Sequence, residues 1–141
     1  MARVKYGDLL EAFEFVSFRS PFEHQAFVSL DTGAVYWISE TGVIEEEDLP
    51  DDLDTSDRYI EVPHKNDLDL GKRLALRFAA EQLPHRLAAI ENFFRHRGAY
   101  VRFKDLLTSE GCLDKRYAYE AQATEQALRN WCEANEIQLI G

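Results

Sequence analysis

The amino-acid sequence predicts an α+β domain: a small antiparallel sheet, made of a hairpin and a third strand, packed against about four to five helices. Three observations carry this. Segments of alternating polarity are confined to the first 66 residues, apolar residues recur at helical spacing after residue 67, and strands and helices do not alternate as βαβ units would.

The first element is a short amphipathic helix from Gly7 or Asp8 to about Ser17, where Leu9, Phe13 and Val16 recur at i, i+4, i+7 and Glu11 and Glu14 face away. "SPFEH" breaks it. "QAFVSLDTGAVYWISE" then reads as two strands around a three-residue loop, Asp31-Thr32-Gly33, in which Gly33 supplies a positive φ at low cost. One face of this hairpin is strongly apolar; the other carries Phe27, Tyr36 and Ile38 among polar residues. "EEEDLPDDLDTSD" (45–57) holds eight acids and no base, which predicts a solvated loop, and "RYIEVP" reads as the third strand, closed by Pro63.

The helical half begins after "HKNDLDLG". A helix is expected over about 68–82, followed by one with Pro84 in its first turn, a stripe of Leu83, Leu87, Ile90 and Phe94, and Gly98 as its stop. Tyr100, Phe103 and Leu107 define the apolar face of a third helix, 99–110, halted by Gly111. A long helix over about 113–135 presents Leu113, Tyr117, Ala121, Thr124, Leu128 and Trp131 on one face, with Asn135 as its stop and "IQLI" as a tail able to add a strand.

At 141 residues the chain is expected to be a single domain, 1–141, with a sheet-rich half (1–66) and a helical half (67–141). Its 45% hydrophobic content, with 9 Phe, 6 Tyr and 2 Trp, suits a packed core. No apolar run reaches the roughly 18 residues of a membrane span, and "MARVKYGDLLEAF" has acids where a signal peptide has its apolar segment, so a cytoplasmic protein without a membrane partner is expected. Cys112 and Cys132 lack CxxC spacing and read as buried reduced thiols.

The net charge of −10 is uneven. Residues 1–70 hold 5 Lys/Arg and 17 Asp/Glu, residues 71–104 hold 8 and 2, and residues 105–141 hold 3 and 7. An acidic chain repels nucleic acid at long range, so any polyanion contact has to be local to the middle segment. There "RGAYVRF" (97–103) looks like a shortened RNA-recognition strand. Stacking aromatics on such a strand sit two residues apart, whereas Tyr100 and Phe103 are three apart, which joins them on a helix. The candidate partner- or anion-binding residues are therefore Arg95, His96, Arg97, Arg102 and Lys104, around a helix end and a helix start. Pairing with the acidic half of the same chain is the favoured alternative role for them.

No catalytic, metal or cofactor set is assigned. His85 and His96, eleven apart in one expected helix, are separated by roughly 16 Å and cannot share a metal. His24 and His64 fall in loops. Asp67 and Asp69 read as a helix cap, since no Glu follows at the spacing of a calcium loop. The sequence has no GxSxG, no phosphate-cradling glycine loop and no Cys-His pairing with supporting spacing.

The order of "KYGDLLEAFE", "DTGAVYWI", "RYIEVP", "ENFFRHRGAYVRFKDLL" and "ALRNWCEANEI" resembles a family of small bacterial proteins catalogued as uncharacterised, over nearly the whole chain. Gly98, Tyr100, Phe103, Lys104, Trp131 and Asn135 match its pattern. The resemblance implies a bacterial, cytoplasmic, free-standing domain and no particular activity. The functional expectation is a non-enzymatic binding or regulatory domain that contacts a protein partner, or less favourably a nucleic acid, through a charged surface. The alternatives are a small hydrolase or transferase built from His and Asp/Glu distant in sequence, and an adaptor using 45–57 on a basic partner. Homo-oligomerisation through the second hairpin face stays open.

Overall fold

The computed structural model describes residues 2–18, 24–39, 53 and 55–141. It is α+β, as expected: among the described residues there are five α-helices, a three-stranded antiparallel sheet and a parallel strand pair. The chain divides into two compact units, one of residues 1–65 with 127–141, the other of residues 66–126. Residues 127–141 group with the sheet-bearing unit.

In that unit β1 (Ala2–Lys5) pairs in parallel with β5 (Ile137–Ile140), Ala2 opposite Ile137 and Val4 opposite Leu139. The tail "IQLI" is thus a strand, and its partner "ARVK" is one that periodicity did not single out. Four residues carry only two alternations, Ala2 and Val4 buried, Arg3 and Lys5 exposed, which is too short a pattern to separate from chance. Helix α1 (Tyr6–Ser17) follows without a break and buries Leu9, Ala12, Phe13 and Val16; Asp8 in its first turn complements the helix dipole.

Strand β2 (His24–Ser29) lies between β3 (Val35–Ser39) and β4 (Tyr59–Glu61) in the order β3-β2-β4. Its central place buries both of its faces, including Ala26, Phe27, Val28 and Ser29; Phe27 on the mixed face of the hairpin is therefore interior. His24 is the first residue of β2, opposite Ser39, rather than a loop residue. The hairpin turn holds four residues, not three: Ser29 N–H donates to Ala34 O at 2.9 Å and Gly33 N–H to Ser29 O at 2.9 Å, enclosing Leu30 to Gly33. The buried Ser29 hydroxyl accepts from the N–H groups of Asp31 (3.3 Å) and Thr32 (3.2 Å), which satisfies donors the tight turn leaves over. Phe15 of α1 stacks on Trp37 of β3 at 4.9 Å between centroids and meets His24 edge-on at 4.5 Å, closing the helix against the sheet. Most of the acidic segment 45–57 lies outside the described residues.

The second unit is helical. Helix α2 (Lys72–Gln82) starts four residues later than expected because Asn66 to Asp69 form turns; Gly71, and neither Asp67 nor Asp69, occupies its N-cap position. Pro84–Arg86 form a single 3₁₀ turn before α3 (Leu87–Phe93). Helix α3 is shorter than the expected segment ending at Gly98, so His85 and His96 do not share one continuous helix. α4 (Ala99–Ser109) ends in a Schellman closure, with Cys112 N–H donating to Leu107 O at 2.8 Å and Gly111 N–H, at φ +69°, to Thr108 O at 3.2 Å.

The core of this unit gathers Phe78, Leu83, Ile90, Phe103 and Leu107. Helix α5 (Leu113–Ala134) begins here, with Tyr119 edge-on to Phe78 at 5.3 Å. Tyr117, expected on its buried face, is instead 49% exposed, while Arg116 and Tyr119 turn inwards. Ala121 is exposed as well, whereas Leu113, Thr124, Leu128 and Trp131 of the expected face are buried or half-buried, so the departure is confined to the stretch 117–121. At its far end Leu128 and Cys132 are buried within the first unit, and the Asn135 side chain donates to Trp131 O at 2.8 Å as the helix stop. Cys112 and Cys132 are both free and buried.

Candidate functional site

The surface around the start of α4 is assembled from two chain reversals. After α3 the backbone tightens, with Arg95 N–H donating to Asn92 O at 3.2 Å and His96 N–H to Phe93 O at 3.1 Å. This throws the Arg95, His96 and Arg97 side chains outward, and all three are exposed. Gly98 then adopts a left-handed conformation, φ +74°, and its carbonyl accepts the first helical bond of α4 from Arg102 N–H at 3.2 Å. The conformation suits glycine, which carries no β-carbon to crowd the next carbonyl. "RGAYVRF" is therefore a helix junction, as its aromatic spacing predicts.

The two aromatics of this stretch have different fates. Phe103 is fully buried, whereas Tyr100, expected in the core, is 40% exposed and packs edge-on against Phe94 at 5.0 Å. At about 100° per residue, Tyr100 lies roughly 60° from Phe103 around the helix, on the rim of the buried face. Partial burial raises the Tyr100 phenol above its ordinary pKa; Arg116 opposes that shift and Glu120 adds to it. The guanidinium of Arg116 stands 4.9 Å from the Phe103 centroid and 5.9 Å from that of Tyr100, while its Nε donates to Glu120 Oε1 at 2.7 Å. Sequence reading passed over Arg116, although its i, i+4 spacing to Glu120 was a visible signal.

The five candidate residues are all exposed, and Arg102 and Lys104 do not share a side of the helix. They flank the inward-pointing Phe103 about 160° apart, and so border the outward face of α4 from its two edges. Among the described residues, none of Arg95, His96, Arg97, Arg102 and Lys104 forms an ion pair. The other arginines of the same unit are engaged. Arg73 pairs with Asp69 at 3.3 Å, Arg86 with Glu110 at 3.2 Å and Arg116 with Glu120, and Arg77 donates to the Tyr119 hydroxyl at 3.0 Å. The expected counter-charge for the candidate residues, the 45–57 segment, falls mostly outside the described residues.

The histidines are dispersed. His85 approaches Glu110 Oε2 at 3.8 Å from an exposed position, and His96 is exposed in the turn. His24 sits edge-on to Phe15 and Phe18, with a buried Nδ1 that has no hydrogen-bond partner among the described residues. Among the described residues no group of three or more His, Cys, Asp or Glu is placed to hold a metal ion. Among the described residues no helix is long and apolar enough to cross a membrane. Compared with known proteins, the chain matches no family model, no curated protein and no solved structure.

Proposed function

We propose that this is a non-enzymatic binding or regulatory domain that engages an acidic segment of a protein partner through the basic surface at the α3–α4 junction. The observation that carries the reading is the division among seven arginines of the second unit. Four have side-chain partners, and three, Arg95, Arg97 and Arg102, project into solvent without one among the described residues. An exposed arginine cluster favours carboxylate recognition, because each guanidinium offers a planar fork of donors.

A protein partner is preferred to nucleic acid on charge. The unit that carries the cluster holds 10 Lys/Arg against 9 Asp/Glu, and the other unit holds 6 against 17. A polyanion as long as a nucleic acid meets net repulsion beyond the patch, whereas a short acidic segment meets the patch alone. The same reading takes the chain as a cytoplasmic bacterial protein, a member of the uncharacterised family that its "RGAYVRFKDLL" block resembles.

The test is fluorescence anisotropy with a labelled Glu-rich 15-residue peptide and a labelled single-stranded 20-mer oligonucleotide, at about 50 and 300 mM salt. The peptide is expected to bind at low salt and to be released at high salt, and Arg97→Glu with Arg102→Glu abolishes binding. Absence of peptide binding at low salt overturns the proposal, and tighter binding of the oligonucleotide replaces it with a nucleic-acid reading.

A further inference from the structure

Val101 is 66% exposed on the outward face of α4, about 160° from the buried Phe103. A β-branched apolar residue at such a position lowers helix propensity and leaves two thirds of its surface in water. Lys104 borders it on one side, three residues on, and Arg102 on the other; Arg97 lies in the turn just before the helix. Tyr100, 40% exposed, adds an aromatic edge next to Lys104. Asp105, exposed four residues after Val101, supplies the opposite charge at the C-terminal limit of the strip.

From this arrangement we infer that the acidic partner carries an apolar side chain, which docks on Val101 and Tyr100 while its carboxylates reach Arg97, Arg102 and Lys104. This rests on the proposed binding of an acidic segment and specifies its chemistry. Charge complementarity selects the occupant. A purely apolar partner leaves three cations at the rim of a dry contact without counter-charge, which costs their solvation. A purely acidic one leaves the apolar strip in water. An acidic segment with an apolar residue at its centre satisfies both, in the arrangement of an apolar anchor ringed by polar contacts that protein interfaces favour. Asp105 sets direction, because it repels carboxylates beyond Lys104 and so favours acidic residues placed towards Arg97 and Arg102 at the start of α4.

Two labelled 15-residue peptides of equal charge decide the matter, one with Leu and Phe at its centre and one with Ser at both positions. The full chain is expected to bind the apolar-centred peptide about 10-fold more tightly, the fold-change that burial of one such side chain brings. Val101→Ser is expected to erase that preference while leaving the Ser peptide's affinity unchanged. Val101→Ala, a better helix former, reduces the preference in the same direction, so a folding defect in one variant is recognisable by circular dichroism against the other. Equal binding of both peptides overturns the apolar anchor and leaves the charge-based proposal standing. Binding of neither peptide at low salt overturns both.

Discussion

Gly33, at the tip of the β2–β3 hairpin, lies against the backbone of Arg3 in β1, so close that a β-carbon on Gly33 would overlap the Arg3 carbonyl oxygen. Its φ of +79° adds a second reason for glycine at this position. The turn residue that the sequence marked for its backbone freedom therefore also seats the hairpin on a strand whose pattern was too short to read.

Gly33→Ala is expected to cost about 2 kcal/mol or more, combining the left-handed penalty with displacement of the β1 backbone. Gly98→Ala, at φ +74° but with open space where its β-carbon would go, is expected to cost only about 1 kcal/mol. Urea denaturation of the two variants checks the difference. Equal losses would show that the approach of Gly33 to Arg3 contributes nothing.

The separate fates of Phe103 and Tyr100 give a second comparison. Phe103→Ala removes a fully buried ring and is expected to destabilise the protein by about 3–5 kcal/mol, whereas Tyr100→Ala on the rim is expected to cost about 1 kcal/mol. Thermal melts of both variants decide it; similar losses would place Tyr100 in the core after all.

Arg116 links the two rings to Glu120 while only 13% of its side chain is exposed. Arg116→Ala is expected to cost about 1–2 kcal/mol. Arg116→Lys keeps the charge but loses the planar stacking, and is expected to recover less than half of that stability. Full recovery by lysine, in denaturation curves at equal salt, would assign the effect to charge alone.

Burial pushes the Cys132 thiol up to about 11, against the opposing influence of Arg129. The folded state thus favours the neutral thiol over the unfolded chain, whose thiol ionises near 9.0. That contribution is complete below pH 9 and is lost as pH rises towards 11. The expected outcome is a fall in the urea midpoint between pH 8.5 and 10.5 that is shallower in Cys132→Ala, together with slow reaction of Cys132 with thiol reagents at pH 8. Identical pH slopes for both proteins would contradict the assignment.

Elements long enough to show their period were legible in the chain: the hairpin, α1 and the Tyr100–Phe103–Leu107 series each repeat an apolar spacing over about two turns or more, whereas the Leu83–Phe94 stripe runs from the end of α2 through a 3₁₀ turn into α3. So were the stops at Gly111 and Asn135, because local backbone chemistry decides them. For the candidate site, the sequence alone determined that basic residues cluster around Gly98 and that Tyr100 and Phe103 belong to a helix. Only the tertiary structure decided that β1 and β5, at opposite ends of the chain, pair in parallel, and that Phe103 is interior while Tyr100 lies on the rim. It also decided that Arg116 has a partner where Arg97 and Arg102 have none among the described residues. The physical reason is range: periodicity and capping act over a few neighbouring residues, whereas strand pairing, burial and charge partnership depend on segments that come together only when the chain folds.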